Sequence, residues 1–369
     1  MSEANMAFGL AKILWAQQLE GLPLRACFIA GPDSTITRNT NRWLSGFGYG
    51  GKLVYDFAEP TVVLDVKPNA CGTLVGGLSD APPAEELTRR VQDLLAGASE
   101  LEGVPLQWDF AVGNHFLDLF ATHSFAGAQD LPPYVFIAHS SCPELRAPSA
   151  MGPGLYWDKS PELVAQAQVL ETPWGPLRLL RGQKALDYYD FFKVAADFAA
   201  RKRLLAAQVL FGDFKPLANV FHQGLLSPGE VLLGCHSTQW EEPLPLTLRP
   251  DLPSYLLRGL PNLSEEVMPR CLSSANVPDY VRQQVATADI LPHGGGYALE
   301  GLRRLRRVWS ADGRRFFELE REASDLTDLV TDPRDLPARY RGRQVLMLAV
   351  EWGLGEVIAR LDPILVVKA

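Results

Sequence analysis

A chain of 369 residues, 47% hydrophobic and 21% charged, has the make-up of a globular protein large enough to bury a water-excluded site. Its formal net charge of −8 excludes a uniformly basic nucleic-acid binder, so any hold on a polyanion must come from a local patch or from bound cations. Cys27, Cys71, Cys142, Cys235 and Cys271 are odd in number and form no CxxC pair, which argues against a disulfide framework and for a reducing compartment.

The opening MSEANMAFGLAKILW has no basic run ahead of a long apolar core and does not read as a signal peptide. No segment approaches about 18 uninterrupted apolar residues, so no membrane span is expected and the cytoplasm is the expected location. The segments LRACFIAG, GFGYGGKLVYDF, TVVLDV and GTLVGGL read as β-strands separated by glycine turns. Residues 80–96, DAPPAEELTRRVQDLLA, read as a helix with prolines and acids at its start. A short strand follows at Tyr134–Ser140, ending on a histidine. Helical periodicity is strongest at 185–211, where the aromatic and aliphatic residues share one broad face and are expected in the core.

Residues 241–261 are proline-rich but ordered in pattern, with a strand at SYLLRG. Residues 298–309, ALEGLRRLRRVW, read as a basic amphipathic helix. A helix is expected around Leu346–Ala359, with DPILVVKA as a closing strand. There is no internal repeat, so the expectation is one large α+β domain over residues 1–369, mixed β-sheets flanked by helices.

The histidines are the informative residues. His115, His139, His222 and His293 each stand at the end of an apolar stretch or beside glycines, where backbone bends can aim a side chain into a cavity. Cys71, in Asn69-Ala70-Cys71-Gly72, follows a hydrophobic strand in the same way. Imidazole and thiolate ligands suit Zn²⁺, Mn²⁺ or Co²⁺, and ligands drawn from distant segments fit a catalytic site better than a zinc finger. Any one such histidine is more often a hydrogen-bonded core residue; that reading weakens for the set. His236 reads as either a phosphate donor or a core residue, the core being favoured. His123 reads as a surface residue in a turn. Arg303, Arg304, Arg306 and Arg307, with Arg314 and Arg315, read either as an RNA path or, preferably, as one solvated helix face.

Gly113-Asn114-His115-Phe116-Leu117-Asp118 resembles the GNHF(x)E motif of RtcB-type tRNA-splicing RNA ligases. Other segments are similar to family motifs in the same order: Asn69-Ala70-Cys71-Gly72, Phe136-Ile137-Ala138-His139-Ser140, Phe221-His222-Gln223, Ser254-Tyr255-Leu256-Leu257-Arg258-Gly259, His293-Gly294-Gly295-Gly296 and Val366-Val367-Lys368-Ala369. By this resemblance the chain is identified as a divergent member of that family.

The resemblance implies a GTP- and Mn²⁺-dependent enzyme joining RNA 3′-phosphate or 2′,3′-cyclic phosphate ends to 5′-hydroxyl ends. It implies one or two metal ions on Cys71, His115, His139 and His222, and His293 as the guanylylated nucleophile. Asn114 and Asp118 would contact the nucleotide, Tyr340 would stack on guanine and Lys368 would reach its edge. An archease-like activator is implied as a partner.

The matches are incomplete. Pro68 stands where the family has a metal-binding aspartate, leaving Asp65 as the nearest substitute, and Asp118 replaces a glutamate. The phosphate-binding arginines are replaced within His139-Ser140-Ser141-Cys142-Pro143 and by Tyr297 after the three glycines. These losses, with the acidic net charge, favour an alternative in which metal and GTP activate a small-molecule or peptide substrate. A non-catalytic scaffold is a third reading, against which the retained Cys71, His115, His139, His222 and His293 argue.

Overall fold

The computed structural model describes residues 1–110, 112–125, 131–240, 243–261, 263, 266–272, 276–311 and 314–367. Apolar runs broken by glycine and proline turns assemble a ten-stranded sheet. Across it the order is Ala26–Thr35, Tyr49–Tyr55, Glu230–Leu233, Lys215–Ser227, Cys71–Leu78, Tyr134–Ser140, Phe116–Ser124, Gly355–Val367, Ser254–Gly259 and Leu244–Leu246. The chain is a single α+β domain, as its sequence implies. Its sheet is antiparallel at every one of these pairings rather than mixed. Tight reversals explain this: Pro228-Gly229 alone joins Lys215–Ser227 to Glu230–Leu233, whereas a parallel pair would need a long crossover.

The helix expected at 185–211 spans Gln183–Phe211 and covers one face of the sheet. Its Ala206, Ala207 and Leu210 pack with Leu74, Phe136 and Ala138. The alternate residues Val75, Val135 and Ile137 pack on the opposite face with Phe120, Leu256 and Leu361. Side chains alternate along a strand, so Cys71 and Thr73 project with Val75, and His139 projects with Ile137. Two ligand candidates therefore share the face that the long helix leaves open.

Three expectations change. Residues 298–309 form strands, Tyr297–Leu299 and Leu302–Ala311, the second pairing with Arg314–Arg321. The three-residue spacing of LRRLRR mimics a helix, but register shifts after Leu302 and Leu305 reset the strand alternation. Leu302, Leu305 and Val308 thus all pack against the core of Ile36, Trp43 and Phe317. The exposed arginines pair across the hairpin, Arg304 with Glu320 and Arg306 and Arg307 with Glu318, while Arg315 turns inward to Asn5. Next, the C-terminal helix ends at Glu351, because Gly353 turns left-handed (φ 67°), and the closing strand starts at Gly355. Third, an N-terminal helix, Ser2–Leu19, escapes sequence reading because it buries Asn5, Lys12 and Gln17 among its apolar residues. Among the described residues no helix is long and apolar enough to cross a membrane.

Gly72 is required by space. A Cβ there would stand 2.4 Å from the Val220 carbonyl oxygen and 2.8 Å from Phe221 Cα, backbone atoms that cannot step aside. Gly72→Ala is expected to destabilise the protein by about 1–3 kcal/mol. An unchanged urea-denaturation midpoint would show that the two strands have room to part.

Candidate metal centre

Cys71 opens its strand, and the turn before it is held in place. Ala70 is left-handed (φ 52°), Asn69 Oδ1 accepts from Cys71 N at 3.0 Å, and Cys142 N donates to Asn69 O at 3.2 Å. His139 lies on the next strand, where its neighbour across the ladder is Thr73. His222 arrives from the other side through a bulge: the register shifts between Phe221 and Gln223, setting two residues opposite Cys71. His115 immediately precedes the strand whose Phe116 pairs with His139.

The four side chains meet. Cys71 Sγ is 3.1 Å from His139 Nε2 and 3.2 Å from His115 Nε2, and His139 Nε2 is 3.1 Å from His222 Nε2. The donor atoms of Cys71, His139 and His222 all lie within 4.8 Å of one another, and all four residues are buried. Donors around a four-coordinate ion stand about 3.3–3.7 Å apart, so a slight outward adjustment admits one. One thiolate with imidazoles is a donor set for a borderline divalent cation. Three buried imidazoles without such a cation would leave nitrogens facing one another in the protein interior. The residues fit a metal, and the sulfur is the corner shared by His115 on one side and His139 with His222 on the other.

Electrostatics sort the imidazoles. Burial, and then the neighbouring His115 and His293 imidazoles, holds His139 well below the usual histidine range. Burial, then His293 and His139, does the same to His222. Both are therefore neutral with lone pairs available near pH 7. Burial also works against charge on His115, but the Cys71 sulfur and the Asp109 carboxylate outweigh it and raise His115 to about 10. A metal ion must displace that proton to use His115 Nε2.

Outer partners orient the rings. His115 Nδ1 is 2.9 Å from Asp109 Oδ2, and His139 Nδ1 is 3.1 Å from the Asn114 carbonyl oxygen, so both Nε2 atoms turn to the sulfur. Asp109 is itself fixed by Ser141 N (3.1 Å) and Ser141 Oγ (2.7 Å), with Lys202 Nζ at 3.7 Å. Burial would raise its carboxyl, but His115 and Lys202 hold it well below the usual carboxylate range. Asp109→Asn is expected to weaken Mn²⁺ or Zn²⁺ binding roughly 10–100-fold, read by competition with a chromophoric chelator. Unchanged affinity would remove His115 from the ligand set.

His293 sits beside this cluster, its ring 4.4 Å from that of His222 and 6.4 Å from that of His139. Asp33 Oδ2 is 3.0 Å from His293 Nδ1 and accepts from His293 N at 3.2 Å, while Thr247 N donates to His293 O at 3.1 Å. The glycines after it serve close packing: a Cβ on Gly296 (φ 61°) would stand 2.2 Å from Asp33 O, and one on Gly295 2.6 Å from Arg341 O. A cleft of about 110 Å³ opens here, lined by His139, His293, Asn114, Asp118, Tyr49 and Tyr340 among others. The two nucleotide-contact candidates, the stacking candidate and the nucleophile candidate thus share one wall system with the cluster. An adjoining cleft is lined by Cys71, His115, Arg38 and Arg146.

Other candidates land elsewhere. Asp65 is buried against Arg178 (2.9 Å) and is no substitute metal ligand. Tyr340 already stacks on Tyr297, centroids 4.9 Å apart and planes at 27°. His236 is a core residue whose Nε2 lies 2.9 Å from the Pro245 carbonyl; burial, then His293, lowers it to about 3. His123 lies on a strand rather than a turn and pairs at the surface with Asp362. Lys368 falls outside the described residues. Asp33 and Asp109 were not legible as partners of His293 and His115: each is one acid in a loop or strand end, with no motif around it. No family model matches the chain, and no curated protein matches it.

Proposed function

We propose that this chain is an RtcB-like ligase that uses GTP and Mn²⁺ to join RNA 3′-phosphate or 2′,3′-cyclic phosphate ends to 5′-hydroxyl ends through guanylylated His293. The observation that carries the reading is that His293, Asn114, Asp118 and Tyr340 line one cleft together with His139, a member of the buried Cys71–His139–His222 group. A metal ion held by Cys71, His115, His139 and His222 would neutralise triphosphate charge and stabilise charge developing at the reacting phosphorus.

The protein's own groups suit the remaining work. Asp33 beside Nδ1 favours the tautomer that leaves the His293 Nε2 lone pair free to attack. Nε2 would form a P–N bond to the α-phosphorus as the bond to the β-phosphate oxygen breaks and pyrophosphate leaves. An oxygen of the RNA 3′-phosphate would then displace the imidazole, taking GMP. Attack by the 5′-hydroxyl oxygen on the 3′-phosphorus would release GMP, with the hydroxyl proton passing to solvent. Arg146 supports a phosphate substrate: it lines the adjoining cleft, donates to Ser141 Oγ at 2.8 Å, and has no carboxylate partner among the described residues.

One observation favours a second reading, in which GTP and metal activate a smaller phosphate or carboxylate. Cys142-Pro143 and Tyr297 stand at the family's arginine positions, and Tyr297 covers a face of Tyr340. Incubation with GTP labelled at the α-phosphate, with Mn²⁺, tests both. Label on the protein followed by sealing of RNA ends supports the ligase, label without sealing supports the second reading, and no label contradicts both.

A further inference from the structure

A second groove, away from the metal ligands, collects cations and indoles. It holds about 410 Å³ and is lined by Lys12, Trp157, Trp174, Arg178, Arg314 and Arg315 among others, with no acidic side chain in its wall. Arg178 is neutralised from beneath by Asp65 and lies 3.7 Å over the Trp157 ring. Lys12 and Arg315 are buried and have no carboxylate partner among the described residues. Lys12 Nζ donates to Ser45 O at 3.0 Å and Pro176 O at 3.2 Å, which leaves one of its three N–H bonds unassigned. Arg315 Nε and Trp157 Nε1 are also buried without an acceptor. The unmet capacity of this groove is therefore all donor, and its charge is all positive. Burying such donors is costly unless an oxyanion accepts from them.

The groove adjoins the metal cleft through shared walls. Within the short helix Thr40–Leu44, Arg42 lines the cleft and Asn41 and Leu44 line the groove; Tyr156 lines the cleft and Trp157 the groove. An Asn41–Asp158 hydrogen bond of 2.5 Å and a Lys67–Asp158 pair of 2.7 Å tie the ridge between them, and Lys67 neutralises that aspartate.

We infer that this groove binds the phosphodiester backbone of single-stranded nucleic acid, with the exposed Trp174 offering a stacking surface to its bases. The inference extends the RNA reading of the metal cleft and rests on it for the strand's identity: a strand whose end enters the cleft would cross the Thr40–Leu44 ridge into the groove. A small anion would use the donors but not the exposed Trp174 indole. On a chain of net charge −8, this local reversal of sign gives a polyanion somewhere to bind.

The test is binding of a fluorescein-labelled oligouridylate of about ten nucleotides to the whole protein in EDTA, without GTP. Wild type is expected to bind with an affinity that falls as salt is raised. Arg314→Glu with Trp174→Ala, both at exposed positions, should weaken binding at least about tenfold. Arg303→Glu, charge-matched but outside the groove, should bind as wild type. Guanylyl labelling of the double variant should be unchanged. No binding by wild type, binding by the double variant within about twofold of wild type, equal loss in Arg303→Glu, or polyglutamate competing as well per charge would each overturn the inference. Oligonucleotide binding without any guanylyl labelling would instead sink the ligase reading and leave the groove standing.

Discussion

Cys71→Ala is expected to abolish stoichiometric divalent-metal binding, weakening it roughly 100–1000-fold. The magnitude follows from dividing about 10–16 kcal/mol of apparent site affinity among four ligands, at about 1.4 kcal/mol per tenfold. Cys71 should sit at the severe end of that range. Its sulfur is the donor in contact with both His115, at 3.2 Å, and His139, at 3.1 Å. Its removal therefore divides the donor set rather than trimming it. His236→Ala is the contrasting substitution. It removes a buried group bonded to the Pro245 carbonyl, so stability should fall by about 1–3 kcal/mol while metal stoichiometry holds. Metal analysis after gel filtration, beside urea denaturation, separates the two. A Cys71→Ala protein that retains a full equivalent of Mn²⁺ or Zn²⁺ would contradict the assigned cluster.

The second large effect concerns His293. His293→Ala should eliminate covalent labelling by GTP, because no other described histidine combines a cleft position with a carboxylate at Nδ1 and a ring outside the cluster. His115 has a carboxylate neighbour, but its Nε2 faces the Cys71 sulfur, and His222 and His236 are fully buried. Asp33→Asn tests the mechanism more finely. The carboxamide can keep the contact at 3.0 Å but no longer selects the reactive tautomer, so labelling should slow by about 10²-fold or more with metal binding intact. Retained labelling in His293→Ala would place the nucleophile elsewhere. Full-rate labelling in Asp33→Asn would make Asp33 a purely structural contact.

Much of the site was legible because its residues sit in short motifs at strand ends. Each of those motifs can be recognised without knowing the fold. Their convergence was not legible. It depends on the antiparallel order of the Lys215–Ser227, Cys71–Leu78, Tyr134–Ser140 and Phe116–Ser124 strands, and on the bulge at His222. The carboxylates behind the imidazoles were hidden for the same reason: Asp33 reaches His293 across 260 positions. The helix expected at 298–309 failed on local grounds, since leucines three apart suit a helix and a twice-bulged strand equally. The strand expected at Tyr134–Ser140 forms over those residues, being a β-branched and aromatic run with a single register.

A metal ion at the Cys71–His139–His222 group underlies all of the proposed chemistry. Crystals grown with Mn²⁺, measured for anomalous scattering, address it directly. A peak within about 2.0–2.5 Å of Cys71 Sγ, His139 Nε2 and His222 Nε2 is the predicted result. Ordered density for all three side chains with no anomalous peak among them, under saturating Mn²⁺, would contradict it.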